Sequence, residues 1–168
     1  MGMNCPRAED VRAAFERLKP HLCATPLVRS ASREAFLKLE NLQITGAYKV
    51  RGALNALSQQ KASGDARPVI AASAGNHSAG MAWAARHLGL KATAVVPSNA
   101  PSSKIASTRK LGAQVIVHGD TYEEAQQEAI RLARCHDWRF LSAFDDPDVI
   151  AGQGTIAMEI MAAKPDVV

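Results

Sequence analysis

The first run of apolar positions has a helical period. Val11, Phe15 and Leu18 stand at i, i+4 and i+7 within residues 9–19, which puts them on one face, and Pro20 stops the run. Thr25-Pro26-Leu27-Val28 reads as extended chain, because Pro26 biases Thr25 away from helix. Residues 35–39 (AFLKL) read as a short strand, and 46–60 as a helix with Val50, Ala53, Leu54 and Leu57 inward. From Arg67 the pattern becomes regular. Apolar runs at 67–73, 91–97, 113–119 and 138–144 predict four buried strands. Helical stretches at 77–88, 102–111, 121–136 and 147–163 separate or follow them. Gly89 and Gly112 close two of these helices, and Thr121 with Glu124 forms a capping box for a third. The last residues, 164–168 (KPDVV), read as the opening of a further strand, so the expectation is a truncated protein. Strands alternating with helices every 20–25 residues predict an α/β fold with a parallel, doubly wound (Rossmann-like) sheet and flanking helices.

Composition narrows the function classes. The chain has 168 residues, 47% hydrophobic and 21% charged, enough for one compact domain. Aromatics are only 5%, which argues against a base- or sugar-stacking surface. The net charge is +4, from 20 basic and 16 acidic residues, with no basic run of five or more. That reads as an ordinary solvated surface and not a nucleic-acid partner. No apolar stretch of about 18 residues predicts a membrane span, and the first ten residues have no signal-peptide core. Gly2 lacks the Ser or Thr at position 6 that myristoylation wants, since Pro6 stands there. Cys5, Cys23 and Cys135 form no CxxC, and the five histidines no HExxH, so no metal site is predicted. A reducing cytoplasm is the expected location.

Three segments carry candidate chemistry. Lys49 stands between small and apolar residues at a helix start, beside Tyr48 and near Arg51. Desolvation, the Arg51 charge and the positive helix end would each disfavour its ammonium form, and a neutral amine is what a Schiff base requires. Most lysines in such a setting are simply solvated. Ser73-Ala74-Gly75-Asn76-His77 joins a buried strand to a helix. Small residues there admit a ligand to the backbone, and free N–H groups at the helix start bind an anion. The plain alternative is a turn with Asn76 or His77 as N-cap. Gly152-Gln153-Gly154-Thr155 fits neither nucleotide-binding glycine pattern and reads as a helix-packing motif. Glu123, Glu124, Glu128, Arg131 and Arg134 read as one solvated face, and Met81 and Trp83 as core.

Together the segments KLENLQITGAYKVRGA (38–53), SAGNH (73–77) and FDDPDVIAGQGTIAMEI (144–160), with Thr25-Pro26-Leu27 upstream, resemble the threonine/serine dehydratases. These are fold-type II (tryptophan synthase β-like) enzymes that use pyridoxal 5'-phosphate (PLP). The resemblance runs from about residue 9 to the end. It implies that Lys49 is the lysine bonded to PLP and a later acid/base at the substrate Cα. It implies that Tyr48 lies against the cofactor ring, and that Asn76 meets the cofactor's phenolic oxygen. Ser73, Ala74, Gly75, Asn76 and His77 match the loop that binds the substrate carboxylate. The implied reaction converts L-threonine or L-serine to a 2-oxo acid and ammonia, within amino-acid metabolism that includes isoleucine biosynthesis. The implied partner is a small amino-acid substrate, and a full-length form is expected to be a homo-oligomer.

The departures from the family pattern bear on substrate and extent. Ala47 stands where many relatives have Ser. Ala74 stands where serine racemases have the Ser that acts as the opposite-face base, so dehydration is favoured over racemisation. The stretch 29–36 looks shorter than in most relatives. The family's glycine-rich phosphate loop would follow the strand starting at Val167. The expected organisation is 1–45 as a piece of the larger domain, 46–150 as the small domain, and 151–168 as the start of the remainder. The competing readings are a racemase, an ammonia-lyase for another hydroxy-amino acid such as 3-hydroxyaspartate, and a non-catalytic fragment.

Overall fold

A computed structural model describes residues 5–163. In chain order the elements are α1 (Ala8–Leu18), β1 (Leu27–Arg29), β2 (Phe36–Lys38), a 3-10 turn (Glu40–Leu42), α2 (Lys49–Ala62), β3 (Val69–Ala72), α3 (Asn76–Leu88) and β4 (Ala92–Val96). They continue with α4 (Ser102–Lys110), β5 (Gln114–Val117), α5 (Tyr122–His136), β6 (Arg139–Phe140) and α6 (Pro147–Ala163). The expected strand at 164–168 lies outside the described residues.

Four strands form one parallel sheet in the order β5-β4-β3-β6. Reversing direction outward from β3 makes it doubly wound, as the alternation predicts. Its central strands β3 and β4 are buried along their full length. Val69, Ala71 and Ala94 face one core layer with α2 and α3, whereas Ile70, Ala72 and Val95 face the small side chains Ala125, Ala129 and Ala133 of α5. The period-2 alternation of β3 thus divides one strand between two helix layers. β1 and β2 pair with each other, antiparallel, apart from the parallel sheet.

The second helix begins at Lys49, three residues later than its predicted start. Gly46 has φ 73°, a left-handed turn that no helix accommodates, and its N–H bonds Gln43 O at 2.7 Å. Val50, Ala53, Leu54 and Leu57 all point inward, each fully buried. β6 is much shorter than its apolar run. After Phe140 one more ladder bond forms, Leu141 N–H to Ile70 O at 2.8 Å, and the chain then leaves the sheet. The predicted capping box on α5 is present: Glu124 N–H donates to Thr121 Oγ1 at 3.2 Å, and Thr121 N–H to Glu124 Oε2 at 3.1 Å.

Glycines set the closest approaches of α2. A Cβ on Gly80 of α3 would lie 2.9 Å from Val50 N and 3.0 Å from the Lys49 carbonyl carbon. A Cβ on Gly152 of α6 would lie 2.6 Å from Gly52 Cα and 2.7 Å from Arg51 O. The GQGT segment is therefore a packing motif inside α6, as its sequence suggests. Met81 is fully buried and Trp83 packs on the core, also as expected.

Candidate active site

The site lies at the carboxyl edge of the parallel strands, where ligands bind in sheets of this kind. Lys49 is the first residue of α2, and its backbone is fixed from below by Gly80. Its Nζ donates to Ala143 O at 3.1 Å. It lies 5.3 Å from the Tyr48 ring centroid and 4.8 Å from that of Phe144. Both rings are well exposed, Phe144 at 64%. A primary amine thus stands between two aromatic faces that solvent can reach.

Arg51 does not act on Lys49 as its place in the sequence suggests. Two residues on, about 200° around the helix, it points away into the protein, where it is only 1% exposed. There Nε and Nη2 donate to the two Glu40 oxygens at 2.8 Å each, and Nη1 donates to Glu159 Oε1 at 2.7 Å. Lys38 closes the cluster on Glu159. Burial raises the Glu159 carboxyl, but hydrogen bonds from Arg51 and Lys38 outweigh it and hold the group below the ordinary carboxylate value. The Arg51 charge is spent on two carboxylates, not on Lys49.

The Ser73–His77 segment leads directly from β3 into α3. Gly75 is the N-cap residue, and no side chain caps the helix. Asn76 is therefore the first helical residue and not the cap, with its side chain exposed. Ala79 N–H, bonded to Gly75 O at 3.1 Å, is the first to turn back into the helix. The N–H groups before it are the donors a helix start offers an anion. Ser73 Oγ accepts from Gly75 N–H at 3.1 Å, which folds the turn. Ser73, Ala74 and Gly75 are half-buried, and a Cβ on Gly75 would meet open space.

His77 is buried, with Nε2 3.0 Å from Leu141 O. Since a carbonyl only accepts, Nε2 carries the proton and Nδ1 is left as an acceptor. Nδ1 is buried without a partner. Burial lowers the imidazole's affinity for a proton, and the Lys49 charge lowers it further. His77 is thereby held neutral beside the lysine.

The fold joins Lys49, His77 and the 141–144 segment, with the Ser73–Asn76 turn following β3 at the same edge. Ala143 and Phe144 are the site residues that sequence reasoning left without a role. Their signal was a large aromatic at the end of an apolar run, just before two aspartates. The set suits a planar aromatic aldehyde carrying an amino-acid substrate. It offers an amine for the aldehyde, exposed rings for the plane, and helix-start N–H groups for a carboxylate.

Comparison with known proteins agrees. A family described as "Pyridoxal-phosphate dependent enzyme" matches residues 18–168. The L-threonine ammonia-lyase of Thermotoga maritima is 46% identical over 165 residues, covering 95% of this chain and 41% of that protein. Among solved structures, a PLP-dependent aspartate racemase superposes with TM-score 0.91 at 34% identity, over 99% of this chain and 54% of the other. The processed form of threonine deaminase isoform 2 from Solanum lycopersicum superposes with TM-score 0.85 at 30% identity, over 99% and 49%. The chain spans about half the length of the curated relatives it matches. On its motifs, its doubly wound sheet and these matches, the chain belongs to the pyridoxal-phosphate-dependent enzyme family, alongside the threonine dehydratases.

Proposed function

We propose that this chain is the lysine-bearing part of a PLP-dependent ammonia-lyase that converts L-threonine, or L-serine, to a 2-oxo acid and ammonia. The observation that carries the proposal is the Lys49 amine, presented at the carboxyl edge between Tyr48 and Phe144 and held by Ala143 O at 3.1 Å. When bound there, PLP supplies an electron sink for the substrate Cα. Lys49 Nζ would hold the cofactor through its aldehyde and would act as the acid/base at the substrate Cα, taking up the proton lost there. Tyr48 supplies a flat face for the ring, and the Asn76 amide donates to the phenolic oxygen. Ser73, Ala74, Gly75, Asn76 and His77 form the loop that holds the substrate carboxylate, with the Asn76 and His77 N–H groups at the helix start as its backbone donors. His77, being neutral, adds no second positive charge beside Lys49.

The reading includes the division into a small domain, 46–150, and two pieces of a larger one, 1–45 and 151–168. Its support is that every strand of the parallel sheet falls between Val69 and Phe140. It also includes a homo-oligomeric full-length protein, a cytoplasmic location and a place in isoleucine biosynthesis, all carried by the family resemblance. No helix among the described residues is long and apolar enough to cross a membrane. Racemisation requires a second proton-bearing group on the opposite face of Cα. Position 74, where racemases place a serine, is a methyl group here, which favours the lyase.

The test is borohydride reduction of the purified chain incubated with PLP, followed by peptide mapping. A reduced adduct on Lys49, absent in Lys49→Ala, is the expected result. Equal labelling across surface lysines such as Lys19, Lys91 and Lys110 would sink the proposal for this chain.

A further inference from the structure

A second cluster of ionisable rings lies far from Lys49. His21 follows the end of α1, with its N–H bonded to Leu18 O at 2.9 Å. His87 stands in the last turn of α3. His87 Nε2 and His21 Nδ1 face each other at 3.0 Å. Both rings are exposed. The His87 plane is fixed by stacking on Trp83, with centroids 4.9 Å apart and an interplanar angle of 9°. His21 meets His87 edge-on, at 4.9 Å and 77°. Asn76 and His87 stand at opposite ends of α3, about 16 Å apart along its axis. The pair therefore sits at the other edge of the sheet from the lysine.

We propose that His21 and His87 form a two-histidine site for a divalent transition metal of the Ni2+/Cu2+ type. The neutral pair holds one proton between its facing nitrogens. If that proton moves to the other nitrogen of its own ring, both facing nitrogens have free lone pairs. Two metal–nitrogen bonds then form, two water ligands leave the ion, and no net proton is released. Imidazole nitrogens bind at about 2.0–2.1 Å. With that bond length, a nitrogen separation of 3.0 Å sets an N–metal–N angle of about 94°. That is the cis angle of a square-planar or octahedral ion. A tetrahedral zinc ion would spread the nitrogens to about 3.3 Å. Among the described residues no third histidine, cysteine or carboxylate joins the pair, so water fills the remaining positions on the exposed side. Cations oppose the metal: Arg86 and Lys19 lie within two residues of the pair in sequence, and Lys61 Nζ is seated on the carbonyl of Leu88, next to His87, at 2.7 Å.

The probe is Trp83, because Ni2+ held on the ring stacked against it quenches its fluorescence. The experiment uses Trp138→Phe, which leaves Trp83 the only tryptophan of the two. The exposed thiols of Cys5, Cys23 and Cys135 are first alkylated to remove competing ligands. Titration with NiCl2 is expected to give a saturable quench with one ion per chain. His21→Gln and His87→Gln each weaken it at least tenfold, His118→Gln leaves it unchanged, and Lys61→Gln tightens it. In competition Cu2+ displaces Ni2+ readily and Zn2+ poorly, in line with both the angle and the general order of metal affinities. A quench that survives His21→Gln, or vanishes in His118→Gln, overturns the site. Tighter binding of Zn2+ than of Ni2+ overturns the geometric argument. None of these outcomes depends on PLP or on Lys49.

Discussion

His77 carries a pH signature that follows from its burial. Its folded-state proton affinity is lowered, first by desolvation and then by the Lys49 charge. The unfolded chain, with an ordinary imidazole near 6.5, therefore takes up a proton first as pH falls. Stability is fully present above about 6.5 and declines as pH drops from there towards the folded-state value. Urea midpoints at pH 7.5 and 5.5 measure this directly. The wild-type chain is expected to lose more on acidification than His77→Gln, whatever the variant's stability at pH 7.5; equal losses would show that His77 titrates normally. Sequence reading placed His77 in a ligand loop, but not its bond to Leu141 O. That contact links residues 64 positions apart, and no local pattern encodes it. The placement of Lys49 at a helix start beside Tyr48 was legible for the opposite reason, since both lie in one short contiguous motif.

At the scale of elements, the clearest consequences come from the glycine crossings and the caps. Gly80→Ala drives a methyl group to 2.9 Å from a backbone nitrogen of α2, which no side-chain rotation relieves. The expected cost is about 1–3 kcal/mol, the usual range for overpacking, read from denaturant midpoints. Thr121→Ala removes the acceptor for Glu124 N–H, on an exposed helix start. It is expected to lower stability by about 1 kcal/mol and the melting temperature by about 2–4 °C. Helix existence was legible throughout, because Pro20, Gly89, Gly112 and Thr121 punctuate the chain. Strand lengths were not. An apolar run marks burial, whereas strand length is set by where a neighbour stops offering ladder bonds. β6 follows β3 for only two paired residues and then turns to hold Lys49.

Across the whole molecule, the Arg51 cluster ties together parts of the chain that are distant in sequence. It joins the 3-10 turn at Glu40, the start of α2 and the end of α6 at Glu159, with Lys38 of β2 attached. Arg51→Met would leave two carboxylates facing each other without their shared cation. The expected loss is about 3–5 kcal/mol, typical for breaking a buried ion network. Adding Glu159→Gln should recover part of it, because one stranded charge is removed. If the double variant is no more stable than Arg51→Met, the cluster acts through packing alone. The sheet order was predictable in kind, since strand–helix alternation leaves few other architectures. The separate β1–β2 hairpin was not, because two three-residue strands carry too few alternating positions to announce a partner.

Helix α2 meets its neighbours backbone to backbone on two sides, at Gly80 and at Gly152. Its position is therefore set by the main chain and not by the shapes of its own side chains. It behaves as a machinist's reference surface: the core around it can be recut without moving it. A library that randomises Val50, Ala53 and Leu57 among apolar residues should yield many weakened proteins. In the survivors Lys49 Nζ should still reach Ala143 O, whereas even one added methyl at Gly80 or Gly152 shifts the reference itself.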